Sequence, residues 1–525
     1  MAWLHTWSGL VFAVLLYFIF VMGTMAYFRV EIDQWMQPER PAAAADASTA
    51  ELLQQGFDYL ARQAPDSSRY FVSLPLERTP GLMRVFAALD EPNAQGERFV
   101  SEQLLTATGT PLRARETGGG TALYRMHYAL HYLPDQVATY VVGIGTLLMF
   151  LALVTGVVTH KKIFADFFTL RLGKGQRSWL DAHNISSVLA LPFMLMITFS
   201  GLLFFTFQYS PGVMLASMGI ERPAQAQMRA HLRPGFERPA AAGQGATMIN
   251  IQGPLSDYLA RNDGVAPRFV ELAEPGDAAA RYRFGATPEG VSRRGPLSQY
   301  SAVDGRWLSE SETPAADAYL SEVMQALHEG RFSFYALRWL YFASGLLGCA
   351  MVGTGLMLWT KKRRALWDGR AAPLSLRVME RANLGIIVGL PLGLVSYFWA
   401  NRLLPVELAN RAAWELHLLF LVWLVSLVHA AARKRQLAWR EQVATLALLC
   451  LSLPLLNALT SDVHLAATLA AGDTVRASFD LTALAFGFAL LLVWRRLPGA
   501  ALSDTGASAW SLQRASASLA QRLNL

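Results

Sequence analysis

The chain has 525 residues, of which 53% are hydrophobic and only 16% charged, and its mean hydropathy is +0.27. Soluble domains rarely combine these values, so a membrane protein is the leading class. The formal net charge is +7, and both cysteines, Cys349 and Cys450, lie inside apolar runs, which excludes a disulfide scaffold and a cysteine-ligated metal cluster.

A hydrocarbon core about 30 Å thick takes roughly 20 apolar residues per helix. Eight runs approach that length: 7–28, 137–159, 184–207, 335–359, 384–404, 412–430, 443–460 and 478–494. The first has no Lys or Arg ahead of it and no clear cleavage site, so it reads as an uncleaved anchor rather than a signal peptide. Basic residues sort the connections. Lys161, Lys162, Arg171, Lys174 and Arg177 follow the second run, Lys361 to Arg364 the fourth, Arg433 to Arg435 the sixth, and Arg495 and Arg496 the eighth. By the positive-inside rule these face the cytoplasm, and an even span count puts both termini there, in a bacterial inner membrane.

Two long polar segments, 29–136 and 208–333, then fall in the periplasm. Each opens with a helix-like stretch, Ala50 to Ala61 and Met248 to Ala260, followed by short alternating runs such as Tyr70 to Leu74 and Arg281 to Phe284. They are expected to be two small α+β modules, with linkers at 40–48 and 236–247. The glycine run Gly118-Gly119-Gly120 lacks phosphate-loop spacing and reads as a loop. The resulting order is 1–28, first span; 29–136, first module; 137–207, two spans and a basic loop; 208–333, second module; 334–364, fourth span; 365–496, four further spans; and 497–525, a cytoplasmic tail.

The first four spans look like one pair of helices written twice. His5 is followed 18 residues later by Gly23, and His183 18 residues later by Gly201. That spacing is five helical turns, so each glycine shares its histidine's face. Each histidine has a small residue at i+4, Gly9 or Ser187. The partner spans are preceded by Leu130-His131 and Leu327-His328 and end in Thr155-Gly156 and Thr354-Gly355.

A single histidine at a helix end reads first as a polar ring at the membrane interface. The recurrence at corresponding positions points further, because imidazole is an axial ligand for haem iron and a helical bundle can hold the macrocycle. Repeat symmetry pairs His5 with His183 at the cytoplasmic end and His131 with His328 at the periplasmic end, which implies two b-type haems. His160 either ligates in place of His5 or contacts a propionate. His127, four residues before His131, shares its face if the segment is helical, and could replace it. No His/Asp/Glu cluster has zinc spacing. His231, His417, His429 and His464 read as structural. The chain carries no dinucleotide fingerprint or nucleophile triad and implies no nucleic-acid partner, so electrons would come from membrane quinol or a separate cytoplasmic reductase.

Four motifs carry a resemblance: His5-Thr6-Trp7-Ser8-Gly9; Val154-Thr155-Gly156 through His160-Lys161-Lys162 to Asp166-Phe167-Phe168; Asp181-Ala182-His183-Asn184 to Leu191-Pro192-Phe193; and Leu327-His328-Glu329-Gly330-Arg331-Phe332 through Gly345 to Thr354-Gly355. With them the chain resembles the PepSY-associated transmembrane helix family, which includes iron-regulated membrane proteins and ferri-siderophore reductases, over residues 1 to about 364. The two polar segments resemble PepSY domains more weakly. The resemblance implies a mainly α, polytopic bundle of about eight spans with two small PepSY-like modules. It implies haem held by those histidines and reduction of a ferric siderophore in the periplasm. The rival expectation is a non-redox sensor or permease component. The spans after 384 lie outside the resemblance and would scaffold the core, bind quinol or dock an electron donor.

Overall fold

A computed structural model describes residues 1–43, 46–89, 98–160, 167–171, 173–205, 239–288, 290–311, 314–368 and 370–498. Lys161, Lys162, Asp166, His231, the beginning of the second polar segment and the tail from 499 lie outside the described residues. Among the described residues seven helices are long and apolar enough to cross a membrane, and a bent helix pair at the start of the chain would make an eighth. Helix α6 is Asp135–Thr159, α7 Gln176–Phe204 and α10 Tyr335–Ala365. One crossing, Leu374–Leu403, comprises α11 (Leu374–Ile387) and α12 (Gly389–Leu403). The last three are α13 (Arg411–Ala432), α14 (Arg435–Thr460) and α16 (Thr474–Arg496), with the short α15 (Leu465–Ala470) before the final one.

The first crossing departs from a single straight helix. It is a pair, α1 (Ala2–Val11) and α2 (Ala13–Ala26), bent by 65° at Phe12. The bend lays α1 against α6 and leaves α2 against α10. Proline sets the start of α6: Pro134 caps it, so the chain from His131 is not one long helix.

Outside the crossings, α3 (Arg29–Met36) leads to α4 (Thr49–Gln63), whose start is fixed by a capping box between Ser48 and Glu51. Strands β1 (Arg69–Ser73), β2 (Leu82–Ala88) and β3 (Phe99–Leu105) follow, then α5 (Gly119–Tyr128). The second polar segment contributes α8 (Gln252–Arg261), β4 (Phe269–Ala273), β5 (Arg281–Gly285), β6 (Leu297–Ser301), β7 (Trp307–Glu310) and α9 (Ala316–Glu329). The strands form one antiparallel sheet in the order β3-β2-β1-β4-β5-β6-β7. The strands of the two expected modules thus join in one sheet. The first strands of the two segments pair with each other, Tyr70 opposite Leu272 and Val72 opposite Val270, which removes an exposed edge from both. Leu53 and Leu60 of α4 and Leu255 and Tyr258 of α8 share one core with Val72, Val85, Val270 and Phe284 of the sheet.

The last four crossings are built into the bundle. Trp35 Nε1 on α3 donates to Asp480 Oδ1 at 2.9 Å, and the Arg402 guanidinium lies 4.0 Å from the Trp35 ring centroid. Arg411 and Glu415 form a fully buried ion pair at 2.5 Å. Its carboxylate also accepts from Asn401 Nδ2 (2.8 Å) and Thr117 Oγ1 (2.6 Å). Such a pair is tolerated in the interior when its polar atoms are largely met: both terminal nitrogens of Arg411 and both oxygens of Glu415 have partners, and only Arg411 Nε lacks one.

Candidate histidine-paired cofactor site

Four histidines come together as two pairs, one at each end of the bundle. At the end distant from the sheet, the His5 and His183 ring centroids are 6.5 Å apart. At the sheet end, those of His127 and His328 are 6.0 Å apart.

All four rings are seated alike. His5 Nδ1 lies 2.8 Å from the Ala152 carbonyl, His183 Nδ1 2.9 Å from that of Met351, and His127 Nδ1 2.9 Å from that of Ile19. His328 reaches the Ile197 carbonyl region and lies 3.0 Å from Ser200 Oγ. The Ser200 proton goes to the Met196 carbonyl at 2.6 Å, so its oxygen is left to accept from the ring. Four residues beyond each of these backbone partners stands a glycine: Gly156, Gly355, Gly23 and Gly201. A Cβ there would meet the ring: 3.1 Å from His5 Cε1, 3.2 Å from His183 Cε1, 2.6 Å from His127 Nδ1 and 3.1 Å from His328 Cε1. Each histidine therefore lies in a notch that a side chain would fill, with its Nδ1 proton given to the backbone or hydroxyl of a neighbouring helix. A carbonyl partner selects the tautomer with hydrogen on Nδ1 and leaves Nε2 with a lone pair, the state a metal ligand needs.

The ring spacing discriminates between metal geometries. An imidazole nitrogen sits about 2.0–2.1 Å from its metal, so rings on opposite sides of one ion would have centroids about 6.3 Å apart, and rings at a tetrahedral angle about 5 Å. The observed separations of 6.5 and 6.0 Å lie nearer the first value than the second. Among the described residues no group of three or more His, Cys, Asp and Glu is placed to hold a metal ion. His5 with His183 and His127 with His328 are spaced as two ligands of a haem would be, and a porphyrin would supply the remaining nitrogens.

At the sheet end the pair borders a cavity of about 270 Å³ whose walls include Phe20, Val142, Met149 and Phe193. Arg29, Arg78, Arg331 and Arg338 line the same cavity; Arg78 and Arg338 are paired with Glu31, and Arg331 with Glu329. Burial pushes the His127 and His328 imidazoles below the usual histidine range, His328 to about 3, helped by its neighbour His127, so both rings are neutral. The two ends are linked along α6. From Met149, which lines the cavity, to Gly156 beneath His5 is seven residues, a rise of about 10 Å.

The expected sheet-end pairing of His131 with His328 is corrected. Helix α5 ends at Tyr128, so His131 lies beyond it and does not share the face of His127. Its ring instead stacks on Phe420 at 5.7 Å and lies 6.2 Å from His417, which accepts or donates at 2.8 Å with Tyr132 Oη. The glycine run is corrected as well, for it starts α5 rather than forming a loop. Gly119 has φ +58°, Gly120 N donates to Asp33 Oδ1 at 2.8 Å, and a Cβ on Gly120 would lie 2.2 Å from the Arg29 carbonyl oxygen. Only glycine allows this approach, which carries His127 to the side of α2.

His160 caps the end of α6, and its Nε2 lies 3.2 Å from Asn184 Nδ2, next to His183 in the chain. Gly23 and Gly201, singled out by their spacing from His5 and His183, seat the rings of His127 and His328, while Gly9 faces open space. His429 pairs with Glu441 at 2.8 Å, and His464 Nδ1 caps α15.

The match to known proteins covers the same part of the chain. An uncharacterized protein of Pseudomonas aeruginosa is 26% identical over 314 residues, which are 57% of this chain and 77% of that relative. The pattern of the PepSY-associated TM region matches residues 2–362, from before His5 to beyond Gly355. The matched segment holds both histidine pairs, all four glycine notches and the whole sheet, and the chain belongs to the family of the PepSY-associated TM region.

Proposed function

We propose that the protein is a haem-containing oxidoreductase of the bacterial inner membrane that passes electrons to a ferric siderophore in the periplasm. The observation that carries this reading is the matched seating of two opposed imidazole pairs, each on glycine notches, at the two ends of one bundle. Bound between a ring pair, a b-type haem supplies one-electron redox chemistry. The chain's own part is to hold the rings by their Nδ1 contacts, to keep both sheet-end imidazoles neutral, and to exclude water with the apolar walls. In this reading His5/His183 and His127/His328 are the ligand pairs, and His160 with Asn184 orients the start of α7.

The sheet then lies on the periplasmic side and both termini in the cytoplasm. Ferric siderophores suit the chemistry, because their hard oxygen ligands hold Fe(II) far less well than Fe(III), so one-electron reduction releases the iron.

Detergent-purified protein is expected to show a Soret band that shifts on adding dithionite, and to reoxidise when a ferric siderophore is supplied. Colourless protein that gains no such band when haem is added would contradict the reading and leave a sensor or permease role.

A further inference from the structure

A cavity of about 770 Å³ lies away from the histidine pairs. It separates α2 and α10 of the repeated core from α11, α12, α14 and α16 of the additional crossings. Along α10 its lining runs from Trp339 to Lys361, a rise of about 33 Å, which is the thickness of the bilayer's hydrocarbon core. Most of the wall is apolar. Polar groups line it at both ends: Glu31 and Ser478 toward the sheet, and Thr360, Lys361, Glu380, Asn383 and Arg435 at the end away from it.

One polar atom there is unmet. Asn383 has no solvent exposure. Its Nδ2 donates to the Leu356 carbonyl and to Thr360 Oγ1, both at 3.2 Å, while Oδ1 has no hydrogen-bond partner. Because the Leu356 carbonyl can only accept, the amide cannot be turned the other way round. A buried acceptor without a donor is costly, so the site calls for a ligand that brings a hydroxyl or amine to Oδ1. Glu380 is already held by Arg435 at 2.7 Å and Arg364 at 3.6 Å.

We propose that this cavity binds an isoprenoid quinol, one ring hydroxyl donating to Asn383 Oδ1 and the tail lying along the apolar trough. The cavity's length suits a polyprenyl chain. The unmet atom selects the reduced head group, because a quinone or a phosphodiester offers oxygens that only accept. The head-group end is one helix away from His183: Gly355 of α10 cradles that ring, and Met357 and Thr360 of the same helix line the cavity. A role as electron source for the His5/His183 pair rests on the haem reading, whereas binding does not.

The test uses the full chain in phosphatidylethanolamine–phosphatidylglycerol nanodiscs under anaerobic conditions, titrated with decylubiquinol or decylubiquinone. Bound ligand is measured by chromatography, and the haem spectrum is read on the same samples. Saturable uptake near one quinol per chain is expected, about five-fold tighter than the quinone. Asn383→Leu should erase that preference. Ala483→Phe, which narrows the cavity from α16, should lower uptake of both forms and keeps the test decisive if the first variant does not fold. Linear uptake that neither substitution changes would mean lipid-like partitioning and would overturn the proposal. Haem without saturable quinol defeats this proposal alone, and saturable quinol without haem defeats the redox reading alone.

Discussion

The two histidine pairs share one construction and differ in what carries it. His5 and His183 sit on membrane-crossing segments themselves, α1 and α7, so the spans that cross the bilayer also aim the rings. His127 and His328 sit on α5 and α9, short helices between the sheet and the bundle. They reach their notches on α2 and α7 only because the glycine start of α5 and the left-handed cap Gly330 after α9 allow the chain to turn there. The comparison teaches that the notch is the invariant element. A glycine four residues after a carbonyl on one helix receives an imidazole from another, whatever element delivers that imidazole.

This contrast can be broken at several points. The largest effect is expected from removing a ring of either pair. His183→Ala or His328→Ala should lower electron delivery from a reductant on one side of a proteoliposome to ferric chelate on the other by at least about 100-fold, because each interrupts the only series of carriers proposed. Comparable rates in either variant would show that the pairs do not act in series. Next is the choice between neighbouring histidines. His127→Ala should cost one haem per chain, whereas His131→Ala, whose ring stacks on Phe420, should leave haem content unchanged. The opposite result would restore the His131–His328 pairing.

Substitution at the notches should be milder and graded. Gly23→Ala places a Cβ 2.6 Å from His127 and should perturb its end more than Gly355→Ala, at 3.2 Å, perturbs the other; the two Soret and low-spin signals report this separately. Equal effects would deny the notch its role. The smallest change is expected from Ser200→Ala, which removes the hydroxyl acceptor of His328 and should cost about 1 kcal/mol of thermal stability. A variant as stable as the parent would mean that the Ile197 carbonyl alone holds the ring.

The legibility of the molecule followed the same division. The pairing of His5 with His183 could be read because both open a crossing and repeat at matched positions. The sheet-end pair could not. The doublets Leu130-His131 and Leu327-His328 match in sequence, but α5 stops at Tyr128 and carries only His127 to the bundle. Eighteen-residue spacing puts Gly201 on the face of His183 within one helix, but the bend at Phe12 separates His5 on α1 from Gly23 on α2, and spacing within a helix cannot say which other helix approaches a face. The joint sheet was hidden for a related reason, since strand pairing between β1 and β4 joins residues about 200 positions apart with no turn between them to signal it. Phe12, where the first crossing bends, carries no proline or glycine to mark it.

The most direct measurement is the number of haems per purified chain, counted as pyridine haemochromogen against protein concentration, in the parent and in His127→Ala. Two haems falling to one is the expected result. A parent with none after haem is supplied, or a variant that keeps both, would contradict the two-pair arrangement.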